Sequence, residues 1–227
     1  MSIVSVRGLI RDYKQGTVTV HALRGVDLDI EEGEFTALMG PSGSGKTTLL
    51  NLIGGLDEPT SGSVVVDGHE LGKLSRGALS DLRRDRLGFI FQAYNLIPVL
   101  SAYENAEFVL LLQGVPAAER RKRVLETLKA VGLEGLEDRR PNQLSGGQQQ
   151  RVAVARAIAM QPALVLVDEP TANLDSHTGY DLIALMKHLN EEFGVTFLFA
   201  THDPKVMENA RRVVRMMDGQ IEKDERR

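Results

Sequence analysis

Cysteine is absent from the 227-residue chain, so the sequence supports neither a disulfide bond nor a thiolate metal site. Long apolar runs are absent as well, since segments such as 108–112 and 163–167 are far too short to cross a bilayer. The first residues also lack the charged and apolar regions of a signal peptide. We therefore expect a soluble, cytoplasmic protein whose role at a membrane, if it has one, depends on a partner.

What is present is typical of a globular protein. Hydrophobic residues make up 42% of the chain and charged residues 26%, and the length suits one α/β domain with a sizeable core. The formal net charge of −4 gives no general reason to expect nucleic-acid binding. We therefore expect no nucleic-acid partner.

Apolar segments bounded by glycine and charged residues predict strands towards both ends of the chain, whereas the middle, from about residue 101 to 160, has helical spacing. A helix is also predicted for residues 47–53. The continuous apolar runs at 163–167 and 195–200 fit central strands of a parallel sheet covered on both faces. The predicted strands are residues 3–9, 18–23, 26–30, 34–39, 63–66, 89–91, 163–167 and 195–200, with a terminal hairpin of 213–217 and 220–221.

A phosphate-binding loop follows the predicted strand 34–39. Residues 40–47 fit the pattern G-x-x-x-x-G-K-[ST] at every fixed position, between a strand and a helix. The glycines let backbone N–H groups surround phosphate oxygens, and the helix N-terminus adds positive potential. Lys46 supplies charge to the β- and γ-phosphates, and Thr47 offers its hydroxyl to Mg²⁺. The predicted ATP contacts here are Gly40, Pro41, Ser42, Gly43, Ser44, Gly45, Lys46, Thr47 and Thr48.

Two acids, Asp168 and Glu169, follow directly on an apolar strand. Unpaired charge is costly to bury, so carboxylates at the end of a buried strand indicate a use. Asp168 can hold Mg²⁺ directly or through water, and Glu169 can polarise a water for attack on the γ-phosphate. The alternative is an exposed turn with two solvated acids, which a phosphate loop in the same chain disfavours.

The segment Leu-Ser-Gly-Gly-Gln at residues 144–148 precedes a good helix. Ser145 as N-cap and Gln148 three residues later fit a capping box, which needs no ligand. Gly146 and Gly147 are poor helix formers, however, and their bare backbone exposes N–H groups to a phosphate. The segment is therefore a candidate for a second nucleotide contact.

These motifs, in this order, resemble the ABC ATPase family over essentially the whole chain: phosphate loop, Gln92, residues 144–148, the acid pair, Asp175 and His202. The resemblance implies an α/β fold, with a phosphate-loop NTPase core around a mainly parallel sheet, an N-terminal antiparallel β subdomain and an α-helical insertion. It implies a single domain over residues 1–227. In it, residues 1–92 and 158–227 form the β subdomain and core, and about 93–157 form the helical subdomain.

The resemblance also implies roles for single residues. Tyr13 is similar to the aromatic residue that stacks on adenine, and Gln92 to the glutamine that senses Mg²⁺ and the attacking water. Asp175 lies in a segment similar to the loop that links two ATP sites, and His202 resembles the histidine that contacts the γ-phosphate. Two alternatives stay open: Tyr13 as a surface tyrosine, and Asp175 as the cap of a helix from about residue 178.

A second copy of the chain is the first partner that the resemblance implies. ATP is expected in a head-to-tail homodimer, between Lys46 of one copy and Ser145, Gly146, Gly147 and Gln148 of the other. The family's catalytic set corresponds to Glu169, His202, Gln92 and Lys46, and its Mg²⁺ contacts to Thr47, Gln92 and Asp168. The other histidines, at positions 21, 69, 177 and 188, are expected to be structural or on the surface.

The resemblance further implies an ATPase that drives a separate membrane permease, with ATP and Mg²⁺ as cofactors. Nucleic-acid ATPases of the family need a long coiled coil or a second cassette, and residues 45–144 show no sustained heptads. Residues 13–16, 91–98 and 101–105 resemble the macrolide-exporter and lipoprotein-release subgroup. Subunits for cell division or amino-acid import share much of this pattern.

We expect the protein on the inner face of the membrane, held there by its permease. The permease is expected to dock along residues 92–107, where Glu104 can meet a basic residue of the partner. The apolar and aromatic side chains expected there are Tyr94, Leu96, Ile97, Val99, Leu100 and Tyr103.

Overall fold

The computed structural model describes residues 2–227. The strands are β1 Ser2–Gln15, β2 Val18–Glu31, β3 Phe35–Met39, β4 Ser61–Val66, β5 His69–Glu70, β6 Leu87–Ile90, β7 Leu164–Asp168, β8 Phe197–Thr201, β9 Arg212–Met217 and β10 Gln220–Arg226. The helices are α1 Lys46–Ile53, α2 Arg76–Arg86, α3 Ala102–Leu112, α4 Ala117–Ala130, α5 Gly146–Ile158, α6 Ser176–Phe193 and α7 Pro204–Asn209.

The strands form two sheets. A four-stranded antiparallel sheet has the order β2-β1-β4-β5, and a six-stranded sheet has the order β10-β9-β3-β8-β7-β6. In the larger sheet the neighbours from β9 to β6 are parallel, and only β10 is antiparallel. The predicted antiparallel N-terminal sheet and mainly parallel core are therefore confirmed. Because parallel strands end at the same edge, the segments after β3, β7 and β8 meet there.

The six-stranded sheet is covered on both faces, as its continuous apolar strands predict. Every side chain of β3 and β8 is buried. One hydrophobic cluster joins Phe35 and Phe199, whose ring centroids are 4.6 Å apart, to Leu110 and Val152 of the helical segment. A second cluster joins the other face, including Leu166, to the four-stranded sheet and α1. The helical segment is thus packed directly onto the six-stranded sheet.

The helical middle of the chain is confirmed as three helices, α3, α4 and α5. Helix α3 begins at a capping box in which Ser101 Oγ accepts from the N–H of Glu104, and the Glu104 carboxylate accepts from the N–H of Ser101. None of the helices over residues 2–227 combines the length and apolar character that a membrane span requires.

Two strand predictions are wrong in the same way. The predicted strands 18–23 and 26–30 are a single strand, β2, and β1 continues to Gln15 instead of ending at residue 9. The pairing of β1 with β2 contains bulges, and Gly25 and Gly8 adopt positive φ values of 87° and 53°. Glycine permits such bulges at little cost, so it bends the strand without ending it.

Strand β10 is longer than the predicted 220–221, because charged side chains stabilise its second half. Arg212 on β9 donates to Asp224 on β10 at 2.6 Å and to Glu34 at 3.0 Å. It also donates to the carbonyl oxygen of Asp29, at 2.6 Å. A strand held by ion pairs has no apolar pattern, so periodicity alone does not reveal it.

Candidate functional site

The phosphate loop connects β3 to α1, as predicted. Gly45 precedes the helix with φ of 100°, and a Cβ atom there would lie 2.7 Å from the carbonyl oxygen of Ala22. Only glycine combines this backbone with so close an approach. Pro41, Ser42 and Gly43 are exposed, so the loop presents its backbone to solvent beside a helix N-terminus.

The side chain of Lys46 folds back across the loop. Its Nζ donates to the carbonyl oxygens of Gly40 at 2.7 Å and Pro41 at 2.9 Å. Burial lowers the pKa of Lys46, while the charges of Glu169 and Asp168 oppose that shift. A phosphate group in the loop would offer this buried cation a stronger partner than two neutral carbonyls.

Thr47 and Asp168 meet across the end of the sheet. Thr47 Oγ1 donates to Asp168 Oδ1 at 3.1 Å. Burial raises the pKa of Asp168, and the charge of Glu169 adds to this, whereas Thr47 and Lys46 lower it. Within residues 2–227 no cluster of three or more His, Cys, Asp or Glu side chains forms a metal site. A Mg²⁺ ion held by few protein ligands and by phosphate oxygens is compatible with this arrangement.

Glu169 turns away from the strand that carries it. Its φ of 45° is left-handed, and its N–H donates to the carbonyl oxygen of Ala200 on β8 at 2.9 Å. The Oε1 atom lies 2.7 Å from His202 Nδ1, and Oε2 accepts from Thr201 Oγ1 at 2.8 Å. The carboxylate is therefore held at the end of β8 by two neighbouring residues, of which sequence reasoning identified only the histidine.

Gln92 lies in an exposed segment just after β6. Its carbonyl oxygen accepts from Asn173 Nδ2 at 2.9 Å, which joins this segment to the loop 173–175. Gln150 of α5 is fully buried nearby and donates to the carbonyl oxygen of Pro170 at 3.1 Å. Gln150 is not among the predicted site residues; its only signal is a polar side chain at helical spacing from the apolar residues Val154 and Ala157, on the buried face of α5.

Residues 145–148 form the predicted capping box. Ser145 Oγ accepts from the N–H of Gln148 at 3.3 Å, and Gln148 Oε1 accepts from the N–H of Ser145 at 2.9 Å. The two glycines also have close neighbours, since a Cβ on Gly146 would lie 2.8 Å from Tyr94 Oη and one on Gly147 would lie 2.4 Å from Thr178 Cγ2. Across residues 2–227, no hydrogen bond or ion pair joins this segment to the phosphate loop.

Asp175 is the N-cap of α6, which begins at Ser176, slightly before the predicted start. Its Oδ1 accepts from the N–H groups of His177 and Thr178 at 3.0 Å each, and its Oδ2 accepts from Thr178 Oγ1 at 2.6 Å. These bonds, with the Thr178 hydroxyl first, lower the pKa of Asp175. The prediction that Asp175 caps a helix is confirmed. The capping bonds also fix the conformation of the exposed loop 173–175 that precedes α6.

Tyr13 lies near the end of β1, paired with Val20 of β2. Its hydroxyl donates to Asp57 Oδ2 at 2.6 Å, and the Arg11 guanidinium lies 4.4 Å above its ring. Arg11 also pairs with Asp57 Oδ1 at 2.7 Å. The tyrosine is therefore fixed, with one ring face covered by Arg11. Neither Arg11 nor Asp57 is among the predicted site residues.

The structure thus brings Lys46, Thr47, Asp168, Glu169 and His202 to one edge of the sheet. This edge can offer a cation, a hydroxyl beside a carboxylate, and a second carboxylate to a polyphosphate. The roles assigned to these residues, and to the others in the predicted set, stay predictions.

Known proteins are similar to this chain in architecture and in sequence. The family described as "ABC transporter" matches residues 23–172. A relative from Methanocaldococcus jannaschii, an uncharacterized ABC transporter ATP-binding protein called MJ0796, is 47% identical over 99% of this chain and 97% of its own. Its dimeric structure, described as a post-hydrolysis state bound to ADP and Pi, matches with a TM-score of 0.89 and 47% identity over 98% of each chain.

Two further relatives have names that refer to transport. The lipoprotein-releasing system ATP-binding protein LolD of Anaeromyxobacter dehalogenans is 47% identical over 97% of this chain and 93% of its own. The macrolide export ATP-binding/permease protein MacB 1/2 of Paracoccus denitrificans is 46% identical over 99% of this chain, but the match spans only 33% of that protein. The chain therefore belongs to the ABC transporter family, as an ATP-binding subunit that hydrolyses ATP.

Proposed function

We propose that two copies of this chain bind ATP between them, hydrolyse it, and so drive a separate membrane permease. The observation that carries the proposal is the division of the nucleotide contacts. The cationic and carboxylate groups converge at the phosphate loop, whereas residues 145–148 form their own cap and present their helix N-terminus elsewhere. A second copy can supply the missing half of each site.

The residues at the sheet edge fit a Mg²⁺ ion. Mg²⁺ is bound through oxygen atoms, commonly one or two carboxylates together with substrate phosphates. Thr47 and Asp168 supply such oxygens 3.1 Å apart, and Gln92 would add its amide oxygen. The raised pKa of Asp168 marks a carboxylate whose charged form lacks sufficient stabilisation in the protein alone. When bound with ATP, the ion would neutralise charge on the β- and γ-phosphates.

Glu169 is the proposed general base. It would accept a proton from the attacking water while the oxygen of that water bonds to the γ-phosphorus. The bond from the γ-phosphorus to the β–γ bridging oxygen breaks, and ADP and phosphate form. His202, with 72% of its side chain exposed, can leave Glu169 for the γ-phosphate. Gln92 would orient the water.

Lys46 would exchange its two carbonyl partners for phosphate oxygens. The ammonium is mostly buried, and its present contacts are with neutral groups. An anionic phosphate adds Coulomb attraction to the ammonium that a neutral carbonyl lacks, so a bound phosphate is the better acceptor. This supports Lys46 as a binding residue whose charge also stabilises the transition state.

Tyr13 is proposed to stack on adenine with the ring face that Arg11 leaves open. The hydrogen bond from Tyr13 to Asp57 fixes the ring, so little side-chain entropy is lost when a base binds. A guanidinium on the opposite ring face, 4.4 Å away, makes a cation–π contact with the same ring.

Asp175 and the glycines of the 145–148 segment are proposed to face the second copy. Asp175 is exposed and its loop is fixed by its own capping bonds. The loop also contacts the carbonyl oxygen of Gln92 through Asn173, which gives it a direct connection to the water-sensing segment. ATP would lie between Lys46 of one copy and Ser145, Gly146 and Gly147 of the other.

The permease is proposed to dock in a cleft of 410 Å³ between α2 and β6 on one side and α3 and α5 on the other. Its wall contains Phe91, Leu112 and the arginines Arg83 and Arg156. An apolar helix that carries an acidic residue would complement this lining. Of the stretch 92–107, only Asn95 lines the cleft, so the proposed surface is shifted from the expected one towards α2 and the end of α3.

The expected docking stretch itself is divided between core and surface. Leu96 and Tyr103 pack against the hydrophobic core, whereas Val99 is 70% exposed. Glu104 uses one carboxylate oxygen in the α3 capping box, which limits its availability to a partner. Arg156 donates to the carbonyl oxygen of Asn95 at 2.5 Å, so the cleft wall is connected to the segment that begins at Gln92.

The relatives support a permease of the lipoprotein-release or macrolide-export type. LolD is named as an ATP-binding protein of a lipoprotein-releasing system, and MacB as a macrolide export ATP-binding/permease protein. We infer that this chain corresponds to the ATP-binding part and works at the cytoplasmic side of the membrane, held there by its permease.

Light scattering tests the proposed assembly. Glu169→Gln should be a dimer with ATP, which it cannot hydrolyse, and a monomer with ADP. Lys46→Ala combined with Glu169→Gln is the matched control, because it should stay monomeric with ATP. A Glu169→Gln protein that remains monomeric with saturating ATP contradicts the shared site.

A further inference from the structure

Thr201, the last residue of β8, makes a hydrogen-bond bridge beneath Glu169. Its side chain is completely buried, and its Oγ1 donates to Glu169 Oε2 at 2.8 Å. The same oxygen accepts from the backbone N–H of Asp203 at 3.0 Å. Thr201 therefore contacts the carboxylate from the protein interior, while His202 contacts it from the solvent side.

The chemistry of the three groups fixes the direction of both bonds. A backbone N–H can only donate, so the hydroxyl oxygen of Thr201 must be the acceptor towards Asp203. An ionised carboxylate can only accept, so the hydroxyl proton points to Glu169. The bond from the Asp203 N–H thus orients the Thr201 hydroxyl so that it donates to Glu169.

Asp203, which aligns the hydroxyl, is itself held in place. Its Oδ2 accepts from Thr171 Oγ1 at 2.6 Å, and its Oδ1 accepts from the N–H of Lys205 at 2.9 Å. Thr171 is buried and lies just before the loop 173–175. The Thr201 contact therefore belongs to a network that reaches Thr171, two residues before the loop 173–175 proposed to face the second copy.

The two contacts to Glu169 differ in how easily they can be released. His202 is 72% exposed and can rotate into solvent or towards a phosphate without leaving a buried polar group unpaired. Thr201 is 0% exposed, so breaking its bond would leave a buried hydroxyl without an acceptor, which is unfavourable. Oε2 of Glu169 is thus held by a buried contact with Thr201, whereas Oε1 is held by an exposed contact with His202 that can be released.

We propose that Thr201 is a positioning residue that locks Oε2 of Glu169 and so directs Oε1 to the attacking water once His202 has moved away. The inference rests on the proposed role of Glu169 as general base. Because Thr201 is fully buried, it would act only through the orientation of the Glu169 carboxylate.

Paired substitutions at Thr201 test this role. Thr201→Val keeps the shape but removes the hydroxyl, and Thr201→Ser keeps the hydroxyl. We expect Thr201→Val to lower kcat about tenfold to a hundredfold, the loss associated with misplaced catalytic groups, while KM for ATP changes less than about twofold. Thr201→Ser should restore most of the rate.

Thr196→Val is the matched control for the loss of a buried hydroxyl. Thr196 is 1% exposed and accepts from the N–H of Gly33 at 2.9 Å, and it lies just before β8, at the opposite end from Thr201. Its substitution should lower the melting temperature about as much as Thr201→Val does, but leave kcat unchanged. If Thr201→Val does not yield folded protein, Thr201→Ala gives the same comparison.

A double-mutant cycle with Glu169→Gln separates this inference from the proposed function. In single-turnover assays, Thr201→Val should add less than about a twofold loss in the Glu169→Gln background, because the two residues act as one unit. Near-wild-type turnover of Glu169→Gln alone would overturn the role of Glu169 itself. Three other outcomes would overturn only the role of Thr201. Glu169→Gln could be slow while Thr201→Val turns over at the wild-type rate, or Thr201→Val could reduce the rate equally in both backgrounds. The third such outcome is a Thr201→Ser variant as slow as Thr201→Val.

Discussion

Thr47 Oγ1 donates to Asp168 Oδ1 at 3.1 Å, although the two residues are 121 positions apart in the chain. The strand order brings them together, because β3 and β7 flank β8 in parallel and end at the same edge. The hydroxyl that follows the phosphate loop and the carboxylate that ends the apolar strand thus form one oxygen pair. Glu169, the next residue, lies at the same edge, where Thr201 and His202 contact its carboxylate.

Removal of the proposed base, Glu169, should slow ATP hydrolysis without weakening ATP binding. Glu169→Gln should keep ATP binding and cut turnover about 10²–10⁴-fold, the usual range for loss of acid–base catalysis. Lys46→Ala should instead weaken ATP binding itself, because it removes the buried cation of the loop. Equilibrium binding of a fluorescent ATP analogue and steady-state phosphate release measure the two effects. Turnover of Glu169→Gln near that of the wild type would rule out this base.

Gly147 should not tolerate a methyl group. A Cβ at this position would lie 2.4 Å from Thr178 Cγ2, and Thr178 is held by a hydrogen bond to Asp175 at 2.6 Å. Gly147→Ala should lower the free energy of unfolding by about 1–3 kcal/mol, as overpacking does, and displace the exposed loop. ATP-dependent dimerisation should therefore weaken, as measured by light scattering.

Gly77→Ala is the control for this substitution. Gly77 is also the second residue of a helix, α2, but the nearest atom to its Cβ would be Ser75 Oγ at 4.0 Å. It should leave stability and dimerisation unchanged or improve stability slightly, because alanine favours helix over glycine. Equal effects of the two substitutions would mean that the packing of Gly147 on Thr178 is unimportant.

The phosphate loop, the acid pair and the capping box could be predicted from sequence because each is a local pattern with a local physical reason. The contacts that fix Tyr13 could not, since Asp57 approaches it through sheet pairing and not through sequence spacing. The same holds for Thr201, whose partners at 169 and 203 meet only in the folded sheet. The sequence predicts two strands where β2 is continuous, because a bulge glycine such as Gly25 and a turn glycine look alike in sequence.

A charge in the proposed docking cleft should uncouple the subunit from its permease. Leu112 lines the cleft and is 56% exposed, so Leu112→Glu should fold normally and keep the ATPase activity of the isolated subunit. Its binding to the permease should weaken at least tenfold, because the new carboxylate would pair with the arginines of the cleft and repel the acidic residue expected on the partner helix. Co-purification with the permease in detergent measures this.

Leu111→Glu is the control for the cleft. Leu111 is 50% exposed and adjacent on α3, but it does not line the cleft. It should retain permease binding. If both variants bind the permease normally, docking occurs on another surface, and if only Leu111→Glu loses binding, the interface lies on the other side of α3.

The buried arginine that connects β9 to β10 should contribute acid-sensitive stability. The hydrogen bond from Arg212 lowers the pKa of Asp224, so its stabilising effect is present above the ordinary aspartate pKa and is lost as the pH falls through the lowered value. Arg212→Met should cost about 2–3 kcal/mol near pH 7, since two partly buried acids lose their cation. Urea unfolding should show this difference narrowing at acid pH.

Arg7→Met controls for the loss of an arginine. Arg7 also pairs with an aspartate, Asp29, at 2.8 Å, but its side chain is 54% exposed. Solvent screens such exposed pairs, so this variant should change the free energy of unfolding little at any pH. A loss for Arg212→Met no larger than that for Arg7→Met would mean that the Arg212 pair does not hold β10.

The most direct test of a shared ATP site is to mix two inactive chains. Lys46→Ala disables the phosphate loop of one chain, and Ser145→Arg blocks the 145–148 segment of the other. In a mixed dimer one site combines both substitutions, while the other has two wild-type halves. ATPase activity should therefore reappear on mixing, although each chain alone is inactive. A mixture that forms mixed dimers, as shown by differently tagged chains, yet stays as inactive as its components would contradict the shared site.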